Sequence, residues 1–146
     1  MNQHTISRIA IILLAIVMLI FGIEHFVHPY AMLVKVPPFL PGGITWVYIV
    51  GAAFILAAIS FLSNYLVRVS GYLLALLLLV FVFSIHLPNY MNTADVDYQR
   101  MSFIDMLKDT ALAAFALYIA SNARHQKVLE ETTIDKEVEE RVAPQM

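Results

Sequence analysis

Cysteine is absent from this 146-residue chain, and charged residues make up only 14% of it. Without cysteine there can be no disulfide, thiolate-bound metal, cysteine-held iron–sulfur cluster or thiol redox cycle in the chain itself. Any redox role therefore depends on a bound cofactor or on a partner subunit. The net charge is −2, and no basic patch with interleaved aromatic residues is present, so we expect no nucleic-acid partner.

Apolar residues, in contrast to charged ones, are abundant. They make up 60% of the chain, and the mean hydropathy is +0.76. A soluble domain of this length buries too small a fraction of its surface to hide so much apolar area. The lipid bilayer is therefore the expected environment of the chain.

Four apolar runs divide the sequence, at about residues 6–26, 44–62, 66–87 and 103–121. Each is close to the roughly 20 residues that a helix needs to cross a hydrocarbon core of about 30 Å. The second and third runs are separated by a few residues only, which predicts antiparallel neighbours. The sequence thus predicts an all-α fold, an antiparallel bundle of four transmembrane helices in residues 1–121. A charged C-terminal tail, residues 122–146, is expected to be a short helix or disordered.

Basic residues near the ends of these runs predict the orientation. Membrane proteins carry an excess of lysine and arginine in their cytoplasmic loops. A slight excess places both termini in the cytoplasm, and an even number of crossings agrees with it. The residues on the inner side are Arg8, Arg68, Arg124 and Lys127, and those on the outer side are Lys35, Arg100 and Lys108.

Small residues spaced four apart predict where the helices approach one another closely. Such pairs occur in the second, third and fourth runs, at Ala53 and Ala57, Gly71 and Ala75, and Ala116 and Ala120.

Ionisable side chains gather at the predicted outer end of the bundle, where the first and third runs end and the fourth begins. Such groups are costly in a membrane unless they face a partner or a wet cavity. We therefore predict a polar site there, with Glu24 and Asp109 as catalytic proton carriers. The residues predicted to bind substrate or cofactor are His25, His28, His86, Asp105 and Lys108.

Other interpretations of these residues stay open. Glu24 could instead pair with Lys108 or Lys35, as buried membrane charges usually do. His25 and His28 could be interfacial imidazoles. The sequence Leu87-Pro88 predicts that the third helix ends within a turn of His86, whose imidazole could then bond a carbonyl of that helix end.

Metal and haem sites receive less support than a quinone. Glu24 and His28 have the i, i+4 spacing of a metal-ligand pair, which His86 or Asp109 could complete. No His-Glu-x-x-His run accompanies them, so we assign no metal. A haem between His86 and His25 or His28 would require ligands that face each other at depth rather than at the interface.

Four motifs follow one another along the chain: Phe21-Gly22-x-Glu24-His25-Phe26-x-His28-Pro29, the Val-Pro-Pro-Phe-Leu-Pro-Gly-Gly loop before Trp46-Val47-Tyr48-x-x-Gly51, His86-Leu-Pro, and Lys108-Asp109-x-Ala-Leu-Ala. Together they resemble the DoxX family of small four-helix bacterial membrane proteins. The resemblance extends over nearly everything before the tail. It implies a four-helix bundle in the bacterial cytoplasmic (inner) membrane. Some members of that family are subunits of quinone-reducing thiosulfate oxidation, and others accompany redox-defence proteins.

Two functions of different classes follow from these features. The first is a redox-linked, quinone-associated membrane subunit with a polar pocket at the outer ends of its helices. A quinone needs an apolar slot, hydrogen-bond donors and a proton relay. The alternative is a non-catalytic scaffold or assembly partner that docks a protein on the two outer loops, residues 29–43 and 88–102. The expected partners are the bilayer and either a redox subunit or further copies of the chain.

Overall fold

A computed structural model describes residues 3–37 and 40–142, with side chains from Thr5 to Ala123 outside the gap and at Ile134 and Val138. Within these ranges the chain is helical and contains no strand, which confirms the predicted all-α class. The elements are α1 (Gln3–Val27), α2 (Pro29–Leu33), α3 (Ile44–Ser63), α4 (Val67–Phe81), a π-helical segment (Val82–His86), α5 (Leu87–Asn92) and α6 (Val96–Val142).

Three helical stretches of the described chain are long and apolar enough to cross a membrane: Thr5–Val27, Ile44–Ser63 and Val67–Asn92. Only 28% to 33% of the most apolar part of each is buried inside the molecule. Leucines on their outer faces, such as Leu13, Leu56 and Leu73, are more than half exposed. Apolar surface of this extent requires a partner or lipid, so these are the features of a membrane protein.

Helix α1 packs on α3 through two glycines that let the backbones approach. A Cβ atom built on Gly22 would lie 2.9 Å from the carbonyl oxygen of Gly51, and one on Gly51 would lie 3.1 Å from that of Gly22. Near this crossing the rings of Phe26 and Tyr48 stack with centroids 5.6 Å apart. The C-terminal half of α1 therefore lies along the N-terminal half of α3. Neither glycine belongs to the pairs that the sequence predicted.

Helix α4 packs on α6 by the same means, here at predicted positions. A Cβ atom built on Gly71 would lie 2.9 Å from the carbonyl oxygen of Ala116 and 2.9 Å from the Cβ atom of Ala120. Close backbone approach of this kind favours van der Waals packing, which stabilises helix pairs where lipid removes the hydrophobic driving force.

The two helix pairs meet in one core. Met18 of α1, Leu78 of α4 and Ile119 of α6 are its largest fully buried side chains. Between α3 and α4 the chain reverses direction in a short turn, in which Asn64 and Leu66 both have φ of 55°. A left-handed leucine is uncommon, and it allows the connection to be as short as the sequence predicted.

The helix that contains His86 does not end there, in contrast to the expectation from Leu87-Pro88. It widens into the π-helical segment, in which the N–H of Leu87 donates to the carbonyl of Val82, and α5 follows directly. Proline has no N–H, and its ring clashes with the carbonyl four residues before it in an α-helix. A wide turn just before Pro88 relieves that clash, so the helix continues through the proline instead of ending.

Helix α6 begins at a side-chain cap and is long. The carboxylate of Asp95 accepts hydrogen bonds from the N–H groups of Asp97 and Tyr98, at 2.9 and 3.1 Å. The helix then runs without interruption to Val142, across the predicted boundary between residues 121 and 122. The division into a 1–121 domain and a 122–146 tail stays a prediction, and residues 143–146 lie outside the described residues.

A candidate ligand cavity between two helix pairs

A cavity of about 440 Å³ lies between the α1–α3 pair and the α4–α6 pair, at the end where α1 stops. Its volume is in the range of small-molecule pockets, about 300–1,000 Å³. Aliphatic and aromatic side chains form most of the walls, among them Phe21, Val36, Val50, Phe54, Leu78 and Phe81.

Polar side chains are few and reach the cavity from every side. They are His25 of α1, Lys35 of the α2–α3 loop, Trp46 of α3, Ser84 and His86 of the π-helical segment, and Lys108 and Asp109 of α6. An apolar pocket with a small number of convergent polar groups is the usual form of a binding site for an organic ligand.

His86 and Asp109 form a buried pair in the cavity wall. Nε2 of His86 donates to Oδ2 of Asp109 at 2.9 Å, and each side chain is only 8% exposed. The other carboxylate oxygen lies 3.9 Å from Nζ of Lys108. No buried side-chain nitrogen or oxygen in the described part of the chain lacks a hydrogen-bond partner. An imidazole held by a carboxylate can accept, hold and return a proton, so the pair is chemically competent for proton transfer.

Asp105 lies beside this pair and binds two lysines. Its Oδ2 is 2.8 Å from Lys35, and its Oδ1 is 2.7 Å from Lys108. The bond to Lys35 joins positions 70 residues apart, and it ties the loop over the cavity to α6. Lys108 also lies 5.2 Å from the ring centroid of Phe21, within the range of a cation–π contact. Asp105 and Lys108 are three positions apart on α6, a spacing that brings two side chains together on one face of a helix.

Glu24 and His28 lie outside the cavity. Nδ1 of His28 is 2.8 Å from a carboxylate oxygen of Glu24, and both side chains are exposed. Glu24 therefore pairs with neither lysine, and neither Glu24 nor His28 shares the pocket of His86. Helix rotation explains this difference from the prediction, because Gly22 faces α3 and its i+3 neighbour His25 follows it into the interior. Glu24, one residue earlier, is turned about 100° away.

His25 is fixed by two contacts. Its Nδ1 donates to the carbonyl of Phe21 at 2.7 Å, and its ring meets that of Phe54 edge to face at 5.5 Å between centroids. The bond leaves Nε2 of His25 for a ligand.

Three polar residues of the lining were not predicted as site residues. Lys35 was considered only for orientation and as a partner of Glu24, and Trp46 and Ser84 carried no signal of a site. Trp46 donates to the carbonyl of Pro41 at 2.8 Å, and Ser84 donates to that of Val80 at 2.6 Å. The π-helical turn that places Ser84 and His86 on the lining has no marker in the sequence except Pro88.

A metal site is not formed by the described residues. No group of three or more histidine, aspartate or glutamate side chains among them is placed to hold a metal ion. The Glu24–His28 pair is separate from the His86–Asp109 pair, so the four groups do not build the tetrahedral arrangement considered from their spacing.

The fold and the cavity define a class: an all-helical membrane protein with an apolar pocket at one end of its helices. Residues 14–120 match the family described as a domain of unknown function (DUF8561), and the chain belongs to this family. The matched region contains every described residue of the cavity lining. No curated protein and no solved structure matches the chain.

Proposed function

We propose that the chain is a four-helix protein of the bacterial cytoplasmic membrane, with both termini inside, and that its cavity binds the head group of a quinone-like molecule. The chain would act as a redox-linked subunit beside a partner redox protein or further copies of itself. The resemblance to the DoxX family supports the bundle and the quinone class. The excess of Arg8, Arg68, Arg124 and Lys127 on one side supports the orientation.

The surface of α6 supports a fourth crossing at about residues 103–121. Ile104 and Leu107 are more than half exposed, and Leu117 is 41% exposed, so an apolar face of α6 points outward. The charges of Asp105 and Asp109 are instead bonded within the molecule. Ionisable groups that face a bundle interior and pair there are compatible with a membrane helix. The contacts of α1 with α3 and the tight turn after α3 support antiparallel neighbours.

One observation carries the ligand proposal: the buried His86–Asp109 pair forms part of the wall of an otherwise apolar cavity. The apolar walls suit the ring and tail of a quinone, and the few polar groups can bond its oxygens. In this arrangement His86 contacts the head group and can carry a proton, and Asp109 accepts the hydrogen bond that holds the imidazole in place. His25 faces the ligand from α1, while Lys108 flanks the pair. We assign no role in the cavity to Glu24 or His28.

Trp46 supplies the test, because it is the single tryptophan of the chain and lines the cavity. The full-length protein in lipid nanodiscs is titrated with decylbenzoquinone, and quenching of Trp46 fluorescence is followed. We expect saturable quenching. Ala53 lines the cavity, so Ala53→Phe fills part of it and should weaken binding by about tenfold or more, which is about 1.4 kcal/mol.

Ala52 provides the matched control. It is exposed on the same helix and does not line the cavity, so Ala52→Phe should bind as the wild type does. Equal binding by both variants, or quenching that never saturates, would refute the site. If in addition one stoichiometric partner protein is captured from native membranes, the scaffold function is favoured.

A further inference from the structure

The uncharged hydrogen-bond donors around the cavity are already used within the protein. His25 Nδ1 and the Ser84 hydroxyl each donate to the carbonyl four residues earlier, at 2.7 and 2.6 Å. Trp46 Nε1 donates to the carbonyl five residues earlier, at 2.8 Å. His86 donates through Nε2 to Asp109. These are all the neutral N–H and O–H side-chain donors in the described lining.

The charges at the cavity balance without a charged imidazole. Lys35 and Lys108 carry two positive charges, and Asp105 and Asp109 carry two negative ones, all joined by contacts of 3.9 Å or less. These four charges cancel among themselves, so no carboxylate of the cluster is left to offset a second proton on His86. A neutral imidazole that donates through one nitrogen presents the other as an acceptor. His86 therefore presents Nδ1.

The neutral groups left for a ligand are consequently acceptors: Nε2 of His25, Nδ1 of His86 and the oxygen of Ser84. Each of the lysines keeps N–H groups that its carboxylate does not use. A ligand hydroxyl can both donate to the imidazoles and accept from a lysine, whereas a carbonyl oxygen can only accept. A bound carbonyl ligand would leave the imidazole nitrogens unpaired and shielded from water, which costs free energy.

We infer that the cavity selects the dihydroxy, reduced form of its ligand, a hydroquinone, over the corresponding quinone. This inference rests on the quinone-type ligand proposed above and adds which of its two forms is bound. The inference concerns binding affinity alone. Because the free neutral groups of the lining are acceptors, a ring with two hydroxyl groups should bind more tightly than the same ring with two carbonyls.

Three probes with the same ring and decyl tail test the inference: decylhydroquinone, decylbenzoquinone and the dimethyl ether of decylhydroquinone, which has methyl groups in place of the hydroxyl hydrogens. Their affinities for the full-length protein in nanodiscs are measured by isothermal titration calorimetry without oxygen. We expect the hydroquinone to bind about tenfold more tightly than either other probe, as two additional hydrogen bonds allow. A quinone that binds equally well or better overturns the inference and leaves the proposed function intact. Failure of all three probes to bind overturns both.

Two substitutions localise the effect to the imidazoles. His25→Asn and His86→Gln each keep an N–H near the native donor and remove the acceptor nitrogen, and their amide oxygen does not occupy the place of that nitrogen. Each should bring the ratio of hydroquinone to ether affinity down to about threefold or less. Thr110→Ala, at an exposed position next to Asp109, is the control and should keep the wild-type ratio. The ratio does not depend on the fraction of folded protein, and an unchanged ratio in both imidazole variants overturns the assignment.

Discussion

Two pairs of histidine and carboxylate in this molecule have the same chemistry and different surroundings. In α1 and the bend after it, His28 lies 2.8 Å from Glu24, and the side chains are 61% and 45% exposed. Between the π-helical segment and α6, His86 lies 2.9 Å from Asp109, and each side chain is 8% exposed. The first pair spans four positions at one helix end, whereas the second joins two elements.

The comparison shows that burial, more than distance, determines how much such a pair contributes to the free energy of unfolding. An exposed i, i+4 pair gains about 0.3–0.5 kcal/mol, because water and side-chain entropy offset most of the attraction. Removal of one partner from a buried pair leaves a polar group without water or a bond, which costs about 1–3 kcal/mol or more. The buried pair therefore holds the fold and the cavity together, and the exposed pair does not.

The largest effect is expected from Asp109→Ala. The substitution leaves Nε2 of His86 buried without its acceptor and opens space in the cavity wall, so the free energy of unfolding should fall by about 2–4 kcal/mol. Reversible unfolding in mixed detergent micelles measures it, with the exposed neighbour Thr110→Ala as the control. A loss below about 0.5 kcal/mol, the level of an exposed pair, would remove the contrast between the two pairs.

An intermediate effect is expected from Asp105→Ala. Asp105 is 20% exposed and binds Lys35 and Lys108, so its loss should lower the free energy of unfolding by about 1–2 kcal/mol and release the loop over the cavity. Exchange of the backbone amide hydrogens of residues 32–36 should become faster. Asp97→Ala, on the exposed first turn of α6, should leave that exchange unchanged. Wild-type exchange in the Asp105 variant would show that the lysine contacts do not hold the loop.

The smallest effect is expected from Glu24→Ala, which should change the free energy of unfolding by no more than about 0.5 kcal/mol. A double-mutant cycle with His28→Ala should give a coupling energy of similar size. The same cycle on Asp109 and His86 should give about 1 kcal/mol or more. Equal coupling energies in the two cycles would contradict the dependence on burial.

Much of the helical frame follows from the sequence. The run predicted at residues 44–62 is α3, Ile44–Ser63, and the run predicted at residues 6–26 lies within α1, Gln3–Val27. Hydrophobic length determines such elements, and it is a local property of the chain. The π-helical segment was not predictable from the sequence. Pro88 disfavours a regular helix and packing against α6 favours a continuous one, and no local sequence pattern shows which effect is stronger.

Of the residues predicted for a polar site, His25, His86, Lys108 and Asp109 line the cavity, and Glu24, His28 and Asp105 do not. Spacing alone places Asp105 and Lys108 on one face of α6, and they are in contact. For α1, the sequence places Glu24, His25 and His28 within about one turn of the helix, and this closeness does not determine which of them faces inward. The rotation of α1 is set by its contact at Gly51, which is distant in sequence. A single step of about 100° separates a lining residue from an exposed one.

The π-helical turn at Val82–His86 holds one residue more than an α-helical turn. The position of His86 therefore depends on the number of residues between Gly71 and Pro88. A one-residue deletion within this turn would leave an ordinary α-helical turn, with the helix before and after it in register. A one-residue insertion between Gly71 and Val82 would instead turn the downstream part of the helix by about 100° and shift it by about 1.5 Å. His86 would leave Asp109, and α5 would leave its position on α6. In this segment chain length determines the position of the imidazole as firmly as side-chain identity does.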